Sequence, residues 1–150
     1  MKNILYSKPS IGDLEKQYVC DAIKNGWGES CYDYIYKFQD NYKDYLGVKH
    51  AMATSSCTGA LHIALKLAGV EADDEVIIPT LTFVATSNSV HYLGAVSHFA
   101  DVEESSLGLD PVALRDWLNH CAERTTEGCR NKQTGRRIRA LVPMHTYGHP

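Results

Sequence analysis

Five consecutive residues, Ser55-Ser56-Cys57-Thr58-Gly59, hold the densest set of groups able to do chemistry: three hydroxyls, a thiol and a glycine. They follow the short apolar run Ala51-Met52-Ala53 and precede a helical pattern, so the sequence reads as strand, turn and helix start. The first amides of a helix have no intrahelical acceptor, and the helix dipole leaves partial positive charge beside them. A phosphate could rest on those N–H groups with the hydroxyls closing around it. The same hydroxyls also suit plain capping of a helix that binds nothing. The segment is neither the three-glycine dinucleotide fingerprint nor a phosphate loop ending in Gly-Lys-Ser/Thr, so no nucleotide claim rests on those motifs.

The surrounding elements must position that turn. Apolar residues at Ile11, Leu14, Tyr18, Val19, Ala22 and Ile23 predict an amphipathic helix over 11–25, with Ser10 as its cap and Asn25-Gly26 as its stop. A second helix is predicted over 33–45 from Ile35, Phe38, Tyr42 and Tyr45, ending at Leu46-Gly47. After the Ser55–Gly59 turn, the helix runs to Ala68 and stops at Gly69. Then come a buried strand over 75–80, a helix over 83–93, a strand over 95–100, a helix from Asp110-Pro111 to about His120, and a strand over 139–144. Strands alternating with helices imply an α/β layer with a mostly parallel sheet. Residues 123–137 carry no apolar period and read as a surface loop or a hairpin insertion, and the short basic run Arg136-Arg137 with Arg139 reads as solvated. The expected organisation is N-terminal helices over 1–47 and an α/β sheet region over 48–150. Because Tyr147-Gly148-His149-Pro150 reads as a loop with no closing element, the domain is expected to continue beyond this chain. A truncated parallel sheet should expose an unpaired edge, giving poor solubility or a molten state.

Composition narrows the function classes. With 44% hydrophobic and 22% charged residues over 150 positions, the chain is an ordinary globular sequence. A net charge of −3 and no clustered basic face argue against nucleic acid or an anionic membrane as partner. No apolar stretch approaches the roughly 20 residues of a membrane span, and Met1-Lys2-Asn3 is not followed by a secretory apolar core, so a cytoplasmic location is expected. The five cysteines lack CxxC pairs and the seven histidines are scattered. Neither disulfides nor a metal site is expected.

In this order the segments resemble the DegT-type (DegT/StrS) sugar aminotransferases. The resemblance rests on Lys8-Pro9-Ser10, Gly26-Trp27, Tyr45-Leu46-Gly47-Val48, Ser55-Ser56-Cys57-Thr58-Gly59-Ala60-Leu61-His62, Asp74-Glu75-Val76-Ile77-Ile78-Pro79, Thr82-Phe83-Val84-Ala85-Thr86 and Val142-Pro143-Met144-His145-Thr146-Tyr147-Gly148-His149-Pro150. It implies the N-terminal part of the large domain of a fold type I transferase, aspartate aminotransferase-like, whose mostly parallel sheet is flanked by helices. It also implies pyridoxal 5'-phosphate as cofactor, a nucleotide-linked keto sugar as substrate, L-glutamate as amino donor and a homodimer. The product would be an amino sugar for surface polysaccharide.

The resemblance assigns the cofactor phosphate to Thr58 and the Gly59 amide, and places Phe83 as an aromatic stacked on the pyridine ring; otherwise Phe83 is a core aromatic. The lysine that forms the aldimine, and the acid that keeps the ring nitrogen protonated, are expected after Pro150. No catalytic residue is therefore expected in this chain, which alone should be inactive. Trp27 would face the sugar nucleotide or the subunit interface, or else serve as a buried anchor. His145 and Tyr147 sit at the C-terminal end of a predicted strand, the edge where open α/β sheets bind ligands. Cys57 stands where most relatives carry a small residue; a thiol at a helix start can be a nucleophile, and packing is the plainer role. Three other readings share these residues: a sugar dehydratase of the same fold lacking the lysine, a non-catalytic regulator binding sugar or cofactor, and an enzyme using Cys57 as nucleophile.

Overall fold

The computed structural model describes residues 8–149; the segment beginning Met1-Lys2-Asn3 and the final Pro150 of the Tyr147–Pro150 run lie outside the described residues. The chain divides into two compact units, Met1–Ala53 and Thr54–Pro150.

The first unit holds α1 (Asp13–Asn25) and α2 (Asp33–Leu46), joined through a single 3-10 turn at Gly28–Ser30. Helix α1 starts two residues later than its apolar pattern, because Gly12 rather than Ser10 is the cap, with its amide donating to the Glu15 carboxylate at 2.7 Å. Helix α2 ends at Gly47 in the left-handed region (φ +65°), where the amides of Gly47 and Val48 turn back onto Asp44 and Lys43. Tyr18 and Tyr34 meet edge to face at 5.7 Å, and the Lys37 ammonium lies 5.0 Å from the Tyr18 ring centroid. The Tyr34 hydroxyl donates to the Asp21 carboxylate, a bond that pushes the phenol up to about 12 and lowers Asp21. Neither helix contains a buried residue.

The second unit is built on a five-stranded sheet in the order β2-β1-β5-β4-β3. Strands β1 (Glu75–Pro79), β2 (Val96–Ala100) and β5 (Arg137–Leu141) are parallel, and β3 (Ala122–Thr125) and β4 (Gly128–Asn131) add an antiparallel hairpin beside β5. Strand β1 is buried at every position, as a central parallel strand covered on both faces must be. Alternation sends Val76 and Ile78 to the face covered by α3 (Cys57–Leu67) and α4 (Val84–His91), where Leu65, Val70, Val90 and Ala95 complete the core. Glu75, Ile77 and His98 take the opposite face, where Trp117 of α5 (Pro111–Cys121) packs on His98 with ring centroids 4.1 Å apart. Asp110 caps α5 by accepting from the amides of Val112 and Ala113, with Pro111 in the first turn as the sequence predicts.

Three details depart from the sequence-based expectations, and a fourth settles between two of them. Ala51-Met52-Ala53 forms no strand: the Ala53 amide donates to the Gln39 side chain at 2.9 Å, and no strand among the described residues pairs with the run. The last strand is Arg137–Leu141 rather than 139–144, although the Val142 amide still reaches Ile77 O at 2.9 Å. Of the two readings of residues 123–137, the structure takes the hairpin, and ties it into the sheet beside β5. Its Asn131 and Thr134 side chains donate to the two oxygens of buried Glu75 at 2.9 and 2.5 Å. Arg137 is not merely solvated, because its guanidinium grips Asp74 through two bonds of 2.9 and 2.7 Å, while Arg139 donates to Ala68 O at 2.8 Å. Burial pulls the Asp74 carboxyl upward, but the bonds from Arg137 and the Glu71 amide outweigh it and hold Asp74 below the usual range.

Candidate functional site

Local chain direction sets where the site lies. Helix α3 enters β1 through the turn closed by Gly69, and α4 leaves β1 through Thr80–Thr82. Eleven helical residues rise about 16 Å, close to the roughly 17 Å of a five-residue strand. Both helices therefore begin at the C-terminal edge of the parallel strands. Ser56 to Gly59 and Phe83 share that edge, and the segment after β5 delivers His145 and Tyr147 to it.

The start of α3 is a partly filled cradle. Its first intrahelical bond runs from the Ala60 amide to Ser56 O at 3.0 Å, so the amides of Cys57 and Thr58 precede any intrahelical acceptor. The Gly59 amide donates to Ser56 Oγ at 3.1 Å, and Thr54 Oγ1 in turn donates to Ser56 O at 3.1 Å. The Thr58 hydroxyl has no hydrogen-bond partner among the described residues. A Cβ added at Gly59 would meet only Ser56 Oγ, at an ordinary 3.4 Å, so protein packing does not require glycine there. Close approach of an external anion to the backbone would account for it. Two amides and a hydroxyl without partners among the described residues, beside an uncrowded glycine at a helix start, fit a phosphate group. Capping and cradle are one geometry here, since Ser56 satisfies one amide and leaves the others open.

Phe83 stands immediately before α4 and is 76% exposed, so it is not a core aromatic among the described residues. A planar side chain fixed at a helix start can cover the face of a flat heterocycle. Cys57 is exposed, and its thiol hydrogen-bonds to no base among the described residues, so the orienting partners a thiol nucleophile needs are not in place. Among the described residues no group of three His, Cys, Asp or Glu side chains is placed to hold a metal ion.

Beyond β5, Thr146–Gly148 forms one 3-10 turn with His145 before it; His145 and Tyr147 are exposed, Tyr147 by 97%. Tyr147 has φ +53° and Leu107, in the loop after β2, has φ +57°, both in the left-handed region that residues bearing a Cβ avoid. Thr146 Oγ1 joins them by donating to Leu107 O at 2.9 Å. Sequence patterning singled out Tyr147 but not Thr146 or Leu107. Glycines at 108 and 148 mark turns there, and Gly148 is itself left-handed at φ +83°, but nothing in the residue types announces that Leu107 and Tyr147 are left-handed too. Trp27 belongs to the first unit, where it is 72% exposed and its indole N–H donates to Ile23 O at 2.6 Å. It is not a buried anchor among the described residues.

The sequence profile of the DegT/DnrJ/EryC1/StrS aminotransferase family matches residues 9–150, nearly every described position and the whole cradle. The chain belongs to this family. It is 42% identical over 143 residues to the spore coat polysaccharide biosynthesis protein SpsC of Bacillus subtilis (strain 168), covering 95% of this chain and 32% of that protein. It is 32% identical over 148 residues to a GDP-perosamine synthase of Caulobacter vibrioides, covering 99% of this chain and 36% of the relative. Among solved structures, 3-amino-5-hydroxybenzoic acid synthase superposes with a TM-score of 0.73 at 27% identity, over 95% of this chain and 33% of that one. The family member described here thus spans about a third of the length of these relatives. Its fold is that of the family's pyridoxal-phosphate aminotransferases, a mixed α/β sheet flanked by helices. Among the described residues no helix is long and apolar enough to cross a membrane.

Proposed function

We propose that this chain is the N-terminal, cofactor-gripping part of a cytoplasmic, homodimeric aminotransferase. The enzyme transfers an amino group from L-glutamate to a nucleotide-linked keto sugar, making amino sugars for surface polysaccharide. The observation that carries this reading is the α3 start, where unpartnered amides and the Thr58 hydroxyl converge beside a glycine that protein packing does not require. The name of the Caulobacter relative supports a nucleotide-linked sugar, and that of the Bacillus relative supports a role in polysaccharide synthesis. The apolar stripes of α1 and α2, none of whose residues is buried, support a subunit contact.

In this reading pyridoxal phosphate supplies the electron sink for moving a proton between carbons. This chain's residues bind and orient. Thr58 Oγ1 and the amides of Cys57 and Thr58 hold the phosphate, with the Gly59 amide joining when Ser56 Oγ yields it. Phe83 fixes the plane of the ring. His145 and Tyr147 line the substrate side, and Trp27 faces the sugar nucleotide or the second subunit. The lysine and the acid of the chemistry lie on the part of the enzyme that follows, so residues 1–150 alone are inactive.

The test is spectroscopic. The full-length protein should show a visible cofactor band that borohydride removes with label trapped on a lysine, and L-glutamate should bleach it. A protein with no such band under saturating pyridoxal phosphate would refute the reading.

A further inference from the structure

The loops that leave β2 and β5 meet, although β1 stands between those strands in the sheet. The Thr146 hydroxyl reaches Leu107 O at 2.9 Å, and a Cβ on buried Gly108 would lie 3.6 Å from the Met144 carbonyl oxygen. This junction bridges the place where β1 ends at Pro79 and the chain turns toward Phe83. The two sides are unequally supported. The Leu107 loop is braced internally: the Leu107 amide donates to Glu103 O, the Ser106 hydroxyl to Glu103 Oε1 at 2.6 Å, and the Gly108 amide to Ser106 Oγ at 3.1 Å. A bridge between Val102 and Leu109 closes its base. Among the described residues the Tyr147 turn has two short-range amide bonds of its own, Gly148 to His145 O and His149 to Thr146 O, besides the Thr146 hydroxyl, which lies 2.9 Å from Leu107 O and 3.8 Å from Met144 Sδ. Yet that turn holds a bulky residue in a left-handed conformation. Strain of this kind persists only where surrounding contacts enforce it, and it gathers where ligands are held.

We propose that Thr146 is a positioning residue for the substrate side of the site. Its hydroxyl fastens the Tyr147 turn to the braced loop after β2 and so presents the Tyr147 ring at the edge where amino donor and keto sugar are taken up in turn. This rests on the transaminase reading above. Valine at 146 keeps the shape and removes the donor, whereas serine keeps the donor.

The experiment uses the full-length holoenzyme with L-glutamate as probe, following bleaching of the cofactor band alongside amide hydrogen exchange. Thr146→Val should speed exchange across 104–109 and 144–149 and raise half-saturation for glutamate roughly fivefold, as expected for losing one net hydrogen bond, with the maximal bleaching rate and cofactor content unchanged. Thr146→Ser should restore both. Tyr147→Asn, which suits a left-handed position better, should raise half-saturation without lowering the thermal midpoint, a split that a purely structural role does not produce. If exchange quickens in Thr146→Val while half-saturation stays at the wild-type value, the substrate-side role is overturned. If exchange is also unchanged, the clasp itself is overturned. A wild-type band that glutamate leaves unbleached overturns the transaminase reading and the substrate-side role together, while the exchange arm still decides the clasp.

Discussion

The two ends of the central strand are opposites. At its N-terminal end, Asp74 and Glu75 are buried to 6% and 1% exposure, and every carboxylate oxygen has a donor, from Arg137, the Glu71 amide, Asn131 or Thr134. At its C-terminal end, the amides of Cys57 and Thr58 have no partner among the described residues and the Phe83 ring stands exposed, while left-handed backbones occur at both ends, at Asp73 beside the buried carboxylates and at Leu107 and Tyr147. A satisfied buried network stabilises and has nothing left to offer a ligand. Unsatisfied amides are tolerated where a ligand completes them. The sheet thus separates a satisfied buried network from an open edge by about the length of one strand.

The largest effect that would break this contrast is at the buried end. Asn131→Leu removes a donor to Glu75 and an acceptor for the Gln133 amide. It should destabilise the full-length protein by about 3 kcal/mol, because a buried carboxylate is left under-bonded. Its cofactor affinity, corrected for the folded fraction, should be unchanged; urea unfolding and a cofactor titration check both. Next comes Thr58→Val at the open end, expected to weaken pyridoxal phosphate by about 2 kcal/mol, the worth of a hydrogen bond to a charged group, with no loss of stability in the cofactor-free protein. Phe83→Leu should cost less, about 1 kcal/mol of cofactor affinity for a lost stacking contact, read from the same titration. The smallest effect is in pH dependence. Asp74 is held below its ordinary 3.8, so its contribution to stability is present above that value and lost as pH falls through the lowered one. Arg137→Met should flatten that acid limb in thermal unfolding followed from pH 5 to pH 2, whereas Arg136→Met should not.

The alternation of short apolar runs with 3.6-period segments made the helices and parallel strands legible, since burial on one stripe or two faces leaves a pattern in the residues. The hairpin was only half legible. Its polarity fitted a loop, but Asn131 and Thr134 are polar because they serve a buried carboxylate 56 and 59 residues earlier in sequence, which no local window contains. Arg137 misled for the same reason, its partner Asp74 being 63 residues away. Ala51–Ala53 had strand composition without a neighbour to pair with, and pairing, not composition, makes a strand. The helix start at Ser56-Cys57 was readable from the hydroxyls and glycine there. That Ser56 holds the Gly59 amide, and that Thr146 reaches Leu107, required coordinates.

The central claim is that the start of α3 grips the cofactor phosphate and does little to hold the fold. The most direct measurement is the pyridoxal phosphate dissociation constant of the full-length wild type and of Thr58→Val, taken with the thermal midpoint of each cofactor-free protein. The account predicts a constant at least roughly tenfold weaker in the variant, with midpoints that coincide. Equal constants, or a weakening that appears only alongside a lowered midpoint, would contradict it.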